Sequence, residues 1–494
     1  MPELAQRGWD GRIFAGSLGG PERASHATTF YRGTRTIPSD YSPAVSASAG
    51  GVDPVAFPTA PLHPSYEDRP GAPDRVFSAV SRDILRQHEA YWQQVFADKG
   101  AGDEGLLHLH HLTPMHGAAK AAERTFVTTL HGTELKFLDG ALQRVALAEK
   151  LHMNLDELGA WMGDSAAERS PRHAEAESVG SAAGLSEDEM SLLLTTRWES
   201  WQHAPHWIEK MREYARASRK ISVISQHDHA VAQRILQLPA DRFEIIPNGV
   251  DVNVFHPQHL SQDARASLMR KWLVEEPRGW APGMAPGSIR YSEEDLHRIF
   301  REVDGQRRPV LLWMGRFLDF KQLPLLLEAF VEVRAKSTVP PVLLVLGGYP
   351  GEWEGTHPYE VARDLGILDD VYFLGWRDHE ELVQGLNCCD ILTAPSVNEP
   401  FGLIYLEAMA AGVPVLVSAS GGPLGYVRPS GETANGWLVA PGDVDDLTSV
   451  LVDVLSEPAE IARRGRHARD FVERHYSWEN IAARYVSLYE AALG

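Results

Sequence analysis

Short apolar runs alternate with amphipathic stretches along most of the chain. In the second half the runs are PVLLWMGR (309–316), PVLLVLGG (341–348), VYFLG (371–375), ILTAPS (391–396) and VPVLVS (413–418). Between them lie QLPLLLEAFVEVRAK (322–336), HEELVQGLN (379–387) and LIYLEAMAAG (403–412), with helical spacing of apolar positions. The first half carries a weaker version. A helix is predicted over 75–98, strands in GLLHLHHL (105–112) and TFVTTL (125–130), and a helix around Trp201 to Ser218. The strand KISVIS, the helix HDHAVAQRIL and the strand RFEIIPNGV follow. Nearly continuous apolar runs mark strands covered on both faces. Their alternation with helices predicts parallel β-α-β units. Two Rossmann-like halves joined near residue 255 are expected.

Other stretches break this rhythm. RIFAGSLGG (12–20) predicts a strand entering a glycine turn at Gly19 and Gly20, and 37–65 reads as a long loop. Residues 151–191 hold nine acidic residues against two basic ones, which predicts an exposed, partly helical insertion. Residues 256–308, rich in Gly and Pro, read as a linker or insertion between a first domain, 1–255, and a second, 309–472. The last segment, 473–494, holds a helix capped by Ser477, with the apolar stripe Ile481, Ala482, Tyr485, Leu488 and Tyr489.

Composition narrows the function. The 494 residues are enough for more than one core. The formal charge of −20 argues against a nucleic-acid or anionic-membrane surface, yet leaves room for a phosphorylated ligand held by a few cations. No apolar run is long enough to predict a transmembrane helix, and the first residues do not read as a signal peptide. Cys388 and Cys389 are adjacent and predict no disulfide framework, and no Asn-x-Ser/Thr sequon occurs. A cytoplasmic location is expected.

The densest chemistry lies in SVNEPFGLIYLEAMAAGVPVL (396–416). A strand ends, a loop carries Glu399, and a helix opening at Gly402 bears Glu407. The first amides of a helix and its dipole suit an anion, and glycine lets a diphosphate approach the backbone. Pro400, Phe401, Gly402 and Leu403 form this entrance. Glu407, a turn further on, suits a ribose diol, and Glu399 can reach a sugar's hydroxyls. In WMGRFLDFKQ (313–322) a buried strand leads to Gly315, Arg316 and Lys321, a fork and a point charge fit for a diphosphate.

The string from Glu399 to Glu407 is an E-x7-E motif. With GWRDHEEL, NGWLVAPGD, HLHHLTP, LHGTELK and IPNGVDVNVFHP, it resembles the retaining nucleotide-sugar glycosyltransferases of the GT-B fold, family GT4. The resemblance covers most of 309–440 and is weaker in the first half. It implies an α/β architecture of two Rossmann-like domains facing across a cleft. The second would bind the donor and the first the acceptor, with the C-terminal helix crossing back to the first domain. Extra residues then concentrate in 21–75, 140–200 and 258–308. It gives Arg316 and Lys321 the family's diphosphate role and His131 the place of its active-site histidine, bonding either the donor sugar or the developing phosphate charge. Gly19 and Gly20, with one of the HLHHLTPMH histidines such as His111, would line the acceptor or phosphate loop. Gly347 and Gly348 would form a turn at the donor. Trp376 and Arg377 would flank the base, with Trp376 either stacking or merely packing.

Transfer of a hexose-type unit to an acceptor hydroxyl or amine, with retention, is the expected reaction. The acceptor is a small molecule, a glycan or a lipid-linked group, and the base is open among UDP, GDP, ADP and dTDP. No cofactor or metal is expected. His108, His110, His111 and His116 lack a completing ligand pattern, and Asp443 of DVDD reads as a helix cap. Two alternatives stay open: a GT-B epimerase or phosphorylase, and a non-catalytic sugar-nucleotide or glycan-binding module.

Overall fold

The structure, a computed structural model, describes residues 2–21, 26–69, 72–98, 105–163 and 171–494. It divides into two units, Met1–Ile246 with Ala483–Gly494, and Pro247–Ala482. The division falls ahead of the expected junction at 255.

In the first unit, β1 (Arg12–Ser17) and β2 (Arg35–Asp40) form a parallel pair of their own. A second parallel sheet holds β3 (Leu107–His110), β4 (Phe126–Leu130), β5 (Ile221–Val223) and β6 (Phe243–Ile245), in that order. All of β4 is buried. Its two threonines therefore need partners: Thr128 Oγ1 meets Ser218 Oγ, at the end of the helix Ala204–Ala217, at 2.6 Å, and Thr129 Oγ1 meets Ser222 Oγ on β5 at 2.5 Å.

Two expectations for this unit need correction. The stretch 37–65 is not one long loop: it holds the end of β2, the helix Ser42–Ser48 and a 3-10 turn at Pro54–Ala56. Val55 is fully buried in the core. The expected strand at 12–20 forms, as β1, and pairs with β2 outside the larger sheet. Phe14 packs edge-on to Phe96 of the helix Arg82–Asp98, in a cluster that includes Leu109 and Phe126. Finally, the acidic stretch is not simply exposed. It forms the helices Leu155–Met162, Pro171–Ala182 and Glu187–Thr195, and buries Leu155, Leu158, Met162, Ala176 and Leu193 in the core. Part of its charge serves the helix ends: Glu157 and Glu189 complete capping boxes with Asn154 and Ser186. Asp164, Glu168 and Arg169 lie outside the described residues.

In the second unit, β7 (Glu302–Val303) and β8 (Gln306–Arg307) make a small antiparallel hairpin. The main sheet is parallel and holds β9 (Val310–Gly315), β10 (Val342–Gly347), β11 (Val371–Gly375), β12 (Ile391–Ala394), β13 (Val415–Ser418) and β14 (Gly436–Val439). The order is β11-β10-β9-β12-β13-β14, a doubly wound sheet in which chain direction across the sheet reverses between β9 and β12. The stretch 256–308 is no linker. It contributes the helices Gln262–Arg270 and Glu293–Phe300 and the π-helical Lys271–Glu275, and buries Trp272, Leu273 and Trp280 within this unit.

Ser477 Oγ accepts from the Asn480 amide at 3.4 Å and opens the final helix, Trp478–Leu493. Its stripe is buried at Ile481, Ala482, Leu488 and Tyr489. From Ala483 onward it belongs to the first unit, where Tyr489 Oη meets His108 Nδ1 at 2.7 Å. The chain thus returns to the first domain, as the resemblance implied. No helix among the described residues is long and apolar enough to cross a membrane.

Candidate functional site

Doubly wound sheets bind ligands outside the carboxyl ends of the strands where the order reverses. Here those strands are β9 and β12, and both candidate motifs leave from them. β9 ends at Gly315, followed by Arg316. β12 ends at Ala394, followed by the loop with Glu399 and the helix Leu403–Ala410. Gly315 and Gly347 are register partners on β9 and β10. A Cβ on Gly347 would sit 2.2 Å from the Gly315 carbonyl oxygen, so only glycine lets these strand ends approach.

A backbone ladder joins the two site loops. The Val397 amide donates to the Phe320 carbonyl at 2.8 Å, next to Lys321. Asn398 takes a left-handed φ of 55° and its amide donates to Ser420 Oγ at 2.8 Å. The Glu399 carbonyl accepts from the Gly422 amide at 2.8 Å. Thus held, Glu399 forms an ion pair with Lys321 Nζ, the two side chains only 11% and 13% exposed. Arg316 is exposed, and its guanidinium has no hydrogen bond or ion pair among the described residues. Of the two expected cations, Lys321 is thus paired, and Arg316 has no partner among the described residues.

Gly402 caps the helix at φ 80°, where a Cβ would lie 2.4 Å from the Tyr405 ring. Leu403 is exposed at the helix start. Pro400 is half-buried and Phe401 buried against Tyr426, so Phe401 shapes the loop from behind. Glu407 is half-buried, no described residue bonds its carboxylate, and burial raises its pKa to about 7. An unfolded glutamate ionises near 4.5. This group's contribution to stability is therefore complete below 4.5 and is lost as pH rises to about 7. Glu407→Gln is expected to unfold at higher urea than the parent at pH ~8 and at the same urea at pH ~4. Equal midpoints at both pH values would refute the assignment.

Trp376 is 54% exposed after β11, open to a ligand. Arg377 corrects the expectation that it flanks a base. It is buried, and its guanidinium donates to the carbonyls of Trp272 (2.9 Å), Glu276 (3.1 Å) and Leu374 (3.2 Å). It pins the 256–308 segment to the sheet.

The first unit has its own cluster, at the carboxyl ends of β3 and β4. His131 Nε2 meets His110 Nδ1 at 2.8 Å, and His108 stacks on His110 at 4.5 Å between centroids. Burial lowers the His131 pKa to about 4, so the ring is neutral near pH ~7. His111 takes a left-handed φ of 61° and pairs with the buried Glu134 at 2.9 Å. Glu134 also accepts from the His131 amide at 2.8 Å, fixing the turn into the helix Thr133–Lys150. Burial pushes Glu134 upward, but the His111 hydrogen bond and neighbouring charge prevail and hold it low. Among the described residues no group of three or more metal-ligating side chains is arranged to hold an ion.

Gly19 and Gly20, expected to line an acceptor or phosphate loop, stand apart from the larger sheet of the first unit. They follow β1, which lies outside that sheet, and the Gly19 amide is spent on Ser42 Oγ at 2.7 Å. Sequence reading also missed Phe320, Asn398 and Ser420 as supports of the site. Asn398 carried a usable signal, since asparagine tolerates the left-handed region.

Residues 297–473 match the family model described as glycosyl transferases group 1. Over 212 residues the chain is 32% identical to an MMP alpha-(1->4)-mannosyltransferase of Mycolicibacterium hassiacum, covering 41% of this chain and 50% of that one. The chain thus spans about half the length of this curated relative. Sucrose-phosphate synthase from Thermosynechococcus elongatus superposes with a TM-score of 0.57 at 20% identity, covering 99% of this chain and 91% of the other. Anabaena HepE in complex with UDP superposes with a TM-score of 0.54 at 15% identity, covering 97% and 99%. The fold is therefore GT-B, and residues 297–473 are similar to the glycosyl transferases group 1.

Proposed function

We propose that the protein transfers a hexose-type unit from a nucleoside diphosphate sugar to an acceptor hydroxyl or amine, with retention of anomeric configuration. The observation that carries this reading is the Lys321–Glu399 pair, which ties the loop that follows β9 and Arg316 to the loop ahead of the helix start at Gly402, within the segment that matches the family model. Breaking the bond from the anomeric carbon to the diphosphate leaves oxocarbenium character on the sugar and negative charge on the leaving group. Arg316 would meet that charge as a fork, Lys321 as a point charge and the helix start through its amides. As Lys321 turns to the diphosphate, Glu399 is released to accept from sugar hydroxyls. Glu407 would hold the ribose diol. His131, neutral, would act as a hydrogen-bonding group towards the sugar. The acceptor oxygen or nitrogen bonds the anomeric carbon, and its proton passes to the departing phosphate oxygen on the same face.

The cations of the chain supply the charge that a metal would, so the reaction needs none. The acceptor is a small molecule, a glycan or a lipid-linked group. Cys388 and Cys389 are free and buried, which suits a reducing, cytoplasmic setting. UDP in the HepE structure makes UDP-sugars the first donors to test, followed by GDP-, ADP- and dTDP-sugars. One nucleoside diphosphate is expected to be released only when acceptor is present, at a rate that EDTA leaves unchanged. NMR of the product should return the donor's anomeric configuration. Epimerised donor without acceptor, or inverted product, would replace the proposal with another reaction.

A further inference from the structure

At the amino end of β9, away from the residues discussed above, the second unit contains a cavity of about 250 Å³. It lies where the stretch 256–308 meets the sheet: the helices Gln262–Arg270 and Glu293–Phe300 form two walls, and the strand entry from Arg307 to Val310 forms a third. Five steps along β9 separate Val310 from Gly315, roughly 16 Å at ~3.3 Å per residue. The cavity is therefore distinct from the candidate donor site.

Its lining has a definite charge character. Arg265, Arg307 and Arg308 contribute, and no acidic residue does, in a chain whose net charge is −20. Two of the arginines are already satisfied. Arg307 grips Asp390 through both terminal nitrogens, at 2.9 and 2.5 Å. Arg308 is buried, donates to the carbonyls of Pro340, Pro341 and Arg298 at 2.9, 2.8 and 3.0 Å, and pairs with Asp370. Arg265 is half-buried, and its guanidinium has no hydrogen bond or ion pair among the described residues. A partly desolvated arginine without a counter-charge is unfavourable unless an anion joins it. Beside it the wall is apolar, with Leu260, Ile299 and Phe300.

We propose that this cavity binds a small carboxylate with a compact apolar body, its carboxylate forked by Arg265 and its body against Leu260, Ile299 and Phe300. Guanidinium geometry matches a carboxylate bidentately, which selects this head group over a neutral one. The apolar wall selects against a sugar or a bare inorganic anion. The volume is below the ~300–1,000 Å³ of sites for drug-sized ligands and suits a single ring or a branched short chain.

Benzoate is the probe, with benzamide as its neutral counterpart, and binding to the full chain is followed by isothermal titration or ligand-observed NMR. Saturable benzoate binding is expected, at least tenfold weaker for benzamide and at least tenfold weaker in Arg265→Ala. Leu260→Trp, which fills the cavity without touching the charge, should abolish it. Thermal unfolding checks each variant, and Leu260→Trp keeps the test open if Arg265→Ala fails to fold. Absence of saturable benzoate binding, equal binding of benzamide, or parent-like affinity in a folded variant overturns the proposal.

Discussion

Arg316→Ala is expected to lower kcat/KM for sugar transfer by about 10²–10³-fold, the usual consequence of removing one fixed donor from developing charge. The same change should leave the thermal unfolding midpoint where it was. Arg316 is exposed and bonds no described residue, so the fold loses nothing when it goes. This separation gives the prediction its force: activity should fall in a protein as stable as the parent. Arg316→Lys should recover part of the rate, because it restores charge without the planar fork. Steady-state kinetics on the variant is the measurement, and a loss smaller than threefold would remove Arg316 from the site.

Lys321→Ala should show the opposite pairing of effects, losing both activity and stability. Lys321 is the counter-charge of a carboxylate held in a largely buried loop. Removing one partner of a buried ion pair strands the other, at a cost of about 3–5 kcal/mol. Turnover should fall by about 10²-fold or more, because a cation at the diphosphate is lost as well. The double variant Lys321→Met/Glu399→Gln separates the two effects. It removes both charges, so most of the stability should return in urea unfolding while activity stays low. If Lys321→Ala alone is as stable as the parent, the pair does not organise the loop.

The two variants differ because the sequence shows both cations in one motif, five positions apart, and cannot show their surroundings. Arg316 follows directly on β9 and points outward. Lys321 lies one turn later, where the Val397 amide ties its loop to that of Glu399. The same contrast holds for Trp376 and Arg377, neighbours in sequence. One stays exposed, and the other is consumed by carbonyls of 256–308, a stretch whose local pattern gave no sign of joining the sheet. Gly19 and Gly20 are a further case. A short apolar run before two glycines predicts a strand and turn wherever it occurs, but pairing partners decide which sheet it joins, and β1 found only β2.

By itself, then, the sequence determined what depends on near neighbours along the chain. Buried parallel strands are short apolar runs, helices carry their spacing, and the E-x7-E string keeps Glu399, Gly402 and Glu407 on one strand-loop-helix element. The acidic excess, the adjacent cysteines and the Arg316–Lys321 spacing were legible for the same reason. Tertiary structure decided what depends on distant partners. It set the strand order that makes β9 and β12 neighbours, the Lys321–Glu399 pair, the burial that lifts Glu407, and the packing that turns 37–65, 151–191 and 256–308 from an expected loop, exposed insertion and linker or insertion into parts of the two cores. Burial and ion pairing are properties of groups brought together across many residues, and a local pattern carries no record of which groups those will be.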